Sequence, residues 1–235
     1  MSAAAPGEPP VPVLLEDKHL LAVFKPAGWV VQGARPGDAS LLDALSEWIR
    51  RRDRKPGAAF LAPVHRLDRP VCGAVVLAKR SKAASRLSEQ IREGRLDKLY
   101  RAVVEGELRE PPGTMVDALA WDEAARRARV VPPGDPGARD AELEVIAAET
   151  RGGFTIVDVR LVTGRKHQIR AQLAHRGCPI AGDALYGARG RLSDGVALVC
   201  RLLRFRHPVE PDDVVVEVPD ALDPVPDWLE ELGAS

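Results

Sequence analysis

The spacing of apolar and polar positions along the chain changes several times, and each change marks an element. Val13–Glu16 and Leu20–Lys25 are short apolar runs on either side of the polar turn Asp17-Lys18-His19, which predicts two strands. After the breakers Pro26-Ala27-Gly28, a loop leads to Ser40, the expected N-cap of a helix in which Leu41, Leu42, Leu45, Trp48 and Ile49 recur at helical spacing. Ala74–Lys79 is a continuous apolar run, as expected of a strand buried on both faces. Ser81 is the expected cap of a second helix, carrying Ala84, Leu87 and Ile91 and stopped by Gly94. Asp97–Glu105 reads as a strand. The polar stretch Pro111–Asp140, broken by Pro132-Pro133-Gly134 and Pro136-Gly137, reads as a peripheral hairpin or excursion whose role the sequence leaves open. Glu142–Ala147 and Phe154–Val162 form an expected strand pair over Gly152-Gly153. A third helix is expected from about Lys166 to Arg176, then strands near Val196–Arg201 and Val214–Val218, and a Pro-rich tail closed by Trp228 and Leu229.

Strands alternating with three helices predict an α+β fold, with a mixed, mainly antiparallel central sheet and flanking helices. Met1–Pro12, rich in Ala, Pro and Gly, reads as a disordered lead, and residues 13–235 as one domain. Lys+Arg and Asp+Glu both count 34, so net charge carries no nucleic-acid signature. Only seven of those cations are Lys. Arg is the better partner for phosphates and stacked bases, but a GC-rich genome gives the same bias. The basic run Arg50–Lys55 closes the first helix, where cations favour the macrodipole. Cys72, Cys178 and Cys200 are odd in number and widely spaced, which argues against a disulfide scaffold and fits a reducing compartment. No secretory signal and no membrane-spanning run is visible, so the expected location is the cytoplasm.

Chemistry concentrates in Val64-His65-Arg66-Leu67-Asp68-Arg69-Pro70-Val71-Cys72-Gly73, ahead of the strand that begins at Ala74. Two arginines flank one aspartate, and a neighbouring guanidinium favours the charged form of a carboxylate. Pro70 and Gly73 constrain the backbone after it. A lone RxDR would read as a surface ion pair; here the match is longer.

HRLDR, two variable residues, then a small residue and Gly resembles the RluA-type pseudouridine synthase family, with Cys72 where Ser or Thr is usual. Further elements continue the resemblance in order: Leu21–Val31 (LAVFKPAGWVV), Leu96–Gly106 (LDKLYRAVVEG), Leu161–Arg170 (LVTGRKHQIR), Gly182–Gly187 (GDALYG) and Leu203–Pro208 (LRFRHP). Val199-Cys200-Arg201 stands where the family commonly has Leu-His-Ala.

The resemblance implies an isomerase that converts uridine to pseudouridine in ribosomal or transfer RNA, with no cofactor and no metal. Asp68 is the implied catalytic carboxylate, Tyr100 the active-site tyrosine and Arg170 the arginine that pairs with the aspartate. Arg66 is implied to fill the gap left by an extruded base, and Ile169 to pack the pocket. Arg165 and Lys166 belong to the same segment and are expected to meet RNA. His65 is expected only to hold the loop together. Whether Asp68 adds to the base or the ribose, or takes the 2′ proton, stays open. The implied protein is monomeric, partnered by RNA rather than a membrane, and has no S4-like RNA-binding domain. Two other readings remain: a non-catalytic RNA-binding protein on the same scaffold, and a nucleoside-bond hydrolase that uses Asp68. His167, His175 and Cys178 lack the paired spacing of a metal site.

Overall fold

The computed structural model describes residues 8–33, 40–54, 56–110 and 112–234. It forms two compact units, one from residues 1–96 and 203–218 and the other from residues 97–202 and 219–235. Most of the expected lead, Met1–Gly7, and part of the loop before Ser40, 34–39, lie outside the described residues. The end of that lead is packed: Val11 is buried, and the Pro12 carbonyl accepts the Phe24 N–H.

In the first unit β1 (Val13–Glu16), β2 (Leu20–Lys25) and β4 (Cys72–Ala78) are neighbours in antiparallel order, and β3 (Ala62–Pro63) also pairs with β4. All seven residues of β4 are buried, as its unbroken apolar run requires. The β2–β4 register sets Leu21 opposite Leu77, Val23 opposite Val75 and Lys25 opposite Gly73. Lys25 therefore sits at the end of β4 from which the HRLDR loop departs. Helix α1 (Leu41–Arg52) starts as expected, with the Ser40 hydroxyl accepting the Asp43 N–H. Its terminal arginines are engaged locally. Arg50 and Arg51 bind Glu47, while Arg52 binds Glu16 and Asp53 and lies over Trp48. Helix α2 (Ser81–Arg92) starts one residue earlier than expected. The extended Arg80 is its N-cap and Ser81 its first helical residue, because the Arg80 carbonyl already accepts the Ala84 N–H.

The second unit holds β5 (Asp97–Glu105), β6 (Gly113–Asp122), β7 (Arg127–Val131), β8 (Arg139–Arg151), β9 (Phe154–Leu161) and, as far as Leu202, β10 (Leu198–Arg206), in the order β10-β5-β9-β8-β6-β7. The polar stretch after Pro111 is the β6–β7 hairpin, which joins the sheet through Met115 opposite Leu143 and Asp117 opposite Ala141. Helix α3 (Gln168–His175) is shorter than its pattern suggests, because His167 takes a left-handed conformation with φ 56°. It lies against β6 and β7, where Leu119, Ala128, Ala141 and Ala171 form a small core with Trp121, Val130 and Tyr186 at its edge.

A helix absent from the sequence reading, α4 (Val225–Glu231), buries Trp228 and Leu229. Its Pro226 falls in the first turn, where a missing N–H costs nothing. β10 runs on to Arg206, five residues beyond the expected end, and pairs with β11 (Asp213–Glu217). The fold is α+β with a mainly antiparallel sheet, and has four helices among the described residues.

Candidate active site

Four residues of the first unit fix the HRLDR loop to its surroundings. Lys25 is completely buried, and its Nζ donates to the carbonyls of Pro26 (3.0 Å), Trp29 (2.9 Å) and Arg69 (3.3 Å). Gly28 donates its N–H to the Arg69 carbonyl, and the Arg69 Nε returns a bond to the Gly28 carbonyl. Gly28 has φ 81°, a conformation that favours glycine. On the other side His65 Nε2 accepts the Val76 N–H at 3.2 Å, the holding role expected of it. The Val71 N–H closes the turn on the Asp68 carbonyl. Asp68 is thus a half-buried carboxylate on a backbone tied at several points, with Leu67 and Val71 buried beside it. Arg66 is exposed, and no hydrogen bond or ion pair holds it among the described residues.

In the second unit the TGRKHQIR segment is braced by one amide. The Gln168 side-chain oxygen accepts the Thr163 hydroxyl (2.8 Å) and the Arg165 N–H (2.9 Å), and its nitrogen donates to the Glu142 carbonyl. Thr163 and Gln168 of the motif are therefore the frame that delivers Ile169 and Arg170. Both are buried. Arg170 makes a bidentate pair with Asp183, Nε to Oδ2 at 2.6 Å and Nη2 to Oδ1 at 2.9 Å, and its guanidinium lies 5.0 Å from the Tyr186 ring centre. A guanidinium forked on a buried carboxylate has a fixed orientation. Arg165 and Lys166 are exposed; Arg165 Nε donates to the Asp140 carbonyl, and the Lys166 ammonium sits 3.3 Å from the Trp121 ring centre. His167 meets the Tyr186 hydroxyl, and Cys178 Sγ lies 3.3 Å from the Glu107 carbonyl.

Tyr100 is buried on β5, opposite Val159 of β9. Lys98 precedes it by two residues and so shares its face of the sheet. The intervening side pairs off differently: Arg101 makes a bidentate pair with Asp158 directly across the strands. Sequence reasoning passed over Lys25, Lys98, Gln168 and Asp183. All four stood inside quoted motifs, LAVFKPAGWVV, LDKLYRAVVEG, LVTGRKHQIR and GDALYG, and a charged residue within an apolar run was the signal available for Lys25.

Residues 19–175 match the family model described as RNA pseudouridylate synthase. The chain belongs to the RNA pseudouridylate synthase family. Its members are isomerases that act on RNA. The chain is 33% identical over 207 residues to the "Uncharacterized RNA pseudouridine synthase YhcT" of Bacillus subtilis, spanning 88% of this chain and 68% of that one. It is 34% identical to the "Ribosomal large subunit pseudouridine synthase D" of Xanthomonas campestris, over 97% of this chain and 70% of that protein. Among solved structures, human RNA pseudouridylate synthase domain containing 1 superposes with a TM-score of 0.71 at 23% identity, covering 96% of this chain and 89% of that one, a likeness of fold.

Proposed function

We propose that this chain isomerises uridine to pseudouridine in large-subunit ribosomal RNA, with Asp68 as the catalytic carboxylate. The observation that carries the assignment is the way the Asp68 loop is held. Lys25, Gly28, Arg69 and His65 fix its backbone while the carboxylate itself is half-buried rather than sealed in the core. Such preorganisation is what a reacting group needs. The choice of ribosomal RNA rests on the names of relatives such as the Xanthomonas campestris protein.

In the reaction the C1′–N1 bond breaks, the uracil turns, C1′–C5 forms, and the proton on C5 leaves while N1 gains one. Atoms and electrons balance within the nucleotide, so no redox partner is called for. Asp68 supplies the carboxylate at the sugar or base. Tyr100 accepts the C5 proton, and Ile169 packs against the detached base. A stacked uridine cannot reach a recessed carboxylate. The nucleotide therefore flips out at a cost of a few kcal/mol, and the exposed Arg66 replaces it in the stack.

The test is pseudouridine mapping at single-nucleotide resolution on in vitro transcribed large-subunit ribosomal RNA. Wild-type protein should modify discrete uridines, and Asp68→Asn should modify none while binding the RNA equally. Turnover by purified Asp68→Asn would overturn the role of Asp68, and release of free uracil would point to hydrolysis instead.

A further inference from the structure

The lysines of the described site segments have three different fates. Lys25 spends its ammonium on three carbonyls, and Lys166 rests on an indole face. Lys98 has neither arrangement. It is half-buried on β5, yet among the described residues no hydrogen bond and no ion pair reaches it. Burial pushes its pKa down, and the nearby Cys200 on β10 acts in the opposite sense. A cation drawn partly out of water with no hydrogen bond and no ion pair weakens the fold unless something else compensates.

The surroundings show on which side compensation can come. Lys98 Nζ lies 3.4 Å from where a Cβ on Gly164 would stand, and among the described residues no other atom beyond the two chain neighbours comes within 4 Å of that point. Gly164 does not have a positive φ, so the glycine is not there to satisfy the backbone. It is exposed, and any side chain on it would cover the ammonium. The absence of a side chain in Thr163-Gly164-Arg165 keeps open a window onto Lys98, with the exposed Arg165 and Lys166 beside it. The face of β5 below that window carries Tyr100.

We propose that Lys98 binds a backbone phosphate of the RNA, next to the nucleotide that reaches Tyr100, through the window that Gly164 leaves open. The ligand is an anion because the ammonium has only donors to offer, and phosphate is the fixed anion of RNA. This rests on the RNA-modifying function proposed above.

The test uses the full chain and in vitro transcribed large-subunit ribosomal RNA. Affinity, turnover and the pH profile of turnover are measured for wild type, Lys98→Met, Lys98→Arg, Gly164→Val and the double variant Lys98→Met/Gly164→Val. Loss of one charge-assisted bond should weaken binding by about ten-fold in Lys98→Met. The slope of log affinity on log salt should fall by about 0.7 to 0.9. The maximal rate and the pH profile should stay as they are. Lys98→Arg should keep the slope, and Gly164→Val should reproduce Lys98→Met with no added loss in the double variant. Removal of an uncompensated cation should not lower the thermal midpoint of Lys98→Met, so a folding defect is separable. An unchanged salt slope in an active Lys98→Met overturns the inference. So does a shifted pH profile at unchanged affinity, which would make Lys98 a partner of the Tyr100 hydroxyl. Wild-type protein that forms no pseudouridine on the transcript overturns the parent reading and this inference together.

Discussion

Replacing Lys25 with Met tests whether the Asp68 loop is held by a buried cation. Methionine keeps most of the apolar stem and removes the ammonium that binds Pro26, Trp29 and Arg69. The Arg69 carbonyl keeps the Gly28 N–H at 2.9 Å and is not orphaned. The carbonyls of Pro26 and Trp29 lose this donor. At about 1–3 kcal/mol for each unsatisfied buried group, these two half-buried carbonyls cost at most about 2–6 kcal/mol. Not having to bury an ammonium returns part of this. A net loss of about 2–3 kcal/mol corresponds to a fall of about 4–12 °C in thermal midpoint for a chain of this size. The loss should also reach catalysis. Arg69 adjoins Asp68, and a loop displaced by about 1 Å costs about a hundred-fold in rate. Thermal unfolding and single-turnover pseudouridine formation on the transcript, both below the variant's midpoint, measure the two effects. A midpoint within about 1 °C of wild type together with an unchanged rate would refute the reasoning.

Tyr100→Phe should leave the fold intact and block pseudouridine formation after the glycosidic bond has broken; a normal rate of product formation would make Tyr100 a packing residue. Asp183→Asn strips the charge from the partner of a guanidinium that is only 4% exposed. Breaking a buried pair from one side costs about 3–5 kcal/mol, so the midpoint should drop by about 6–20 °C, and a drop under 2 °C would show that Arg170 is held some other way. Glu16 provides the pH test. Its hydrogen bond from Arg52, with help from Lys79, lowers its pKa from 4.5 to about 2. A depressed carboxylate stabilises the fold in full above 4.5 and loses that contribution as the pH falls towards 2. Wild type should therefore exceed Glu16→Gln in thermal midpoint at pH 7, and the gap should close by pH 2; a gap that persists there would remove Glu16 as the cause.

Much of this architecture is legible in the order of residues because burial and period coincide. β4 is apolar throughout and buried throughout, and α1 carries its leucines on one face behind a serine cap. Legibility failed where a local signal pointed the wrong way. Pro224 and Pro226 made the tail look irregular, although proline in a first turn is compatible with α4. His167 shortened α3 through a left-handed backbone that no pattern of apolar residues encodes. The chemical residues stood out as motifs, but what holds them did not. Gln168 looks like any polar helix residue until its amide is seen bridging Thr163, Arg165 and Glu142. Asp183 lies 13 residues from the arginine it orients, a separation that neither helix nor strand period connects.

The zero net charge of the chain is compatible with an RNA substrate because its cations are not equivalent. Arg50, Arg51 and Arg52 close α1 against Glu47, Glu16 and Asp53, and Arg101 is matched by Asp158. These charges cancel locally and are invisible to a phosphate more than a Debye length away. Lys25 and Arg69 turn inward to backbone carbonyls, and Arg170 to a buried carboxylate, so their charge is spent on geometry. Of the cations on the HRLDR loop and on β5, Arg66 and Lys98 are left, one exposed beside Asp68 and one half-buried two residues from Tyr100, each without a hydrogen bond or ion pair among the described residues. A whole-chain sum weights all of these equally. A phosphate does not, since it gains most from a cation whose desolvation is already partly met and whose donors are still unused. Where the uncommitted cations sit relative to Asp68 and Tyr100 in the sequence motifs is therefore better evidence about the substrate than the total.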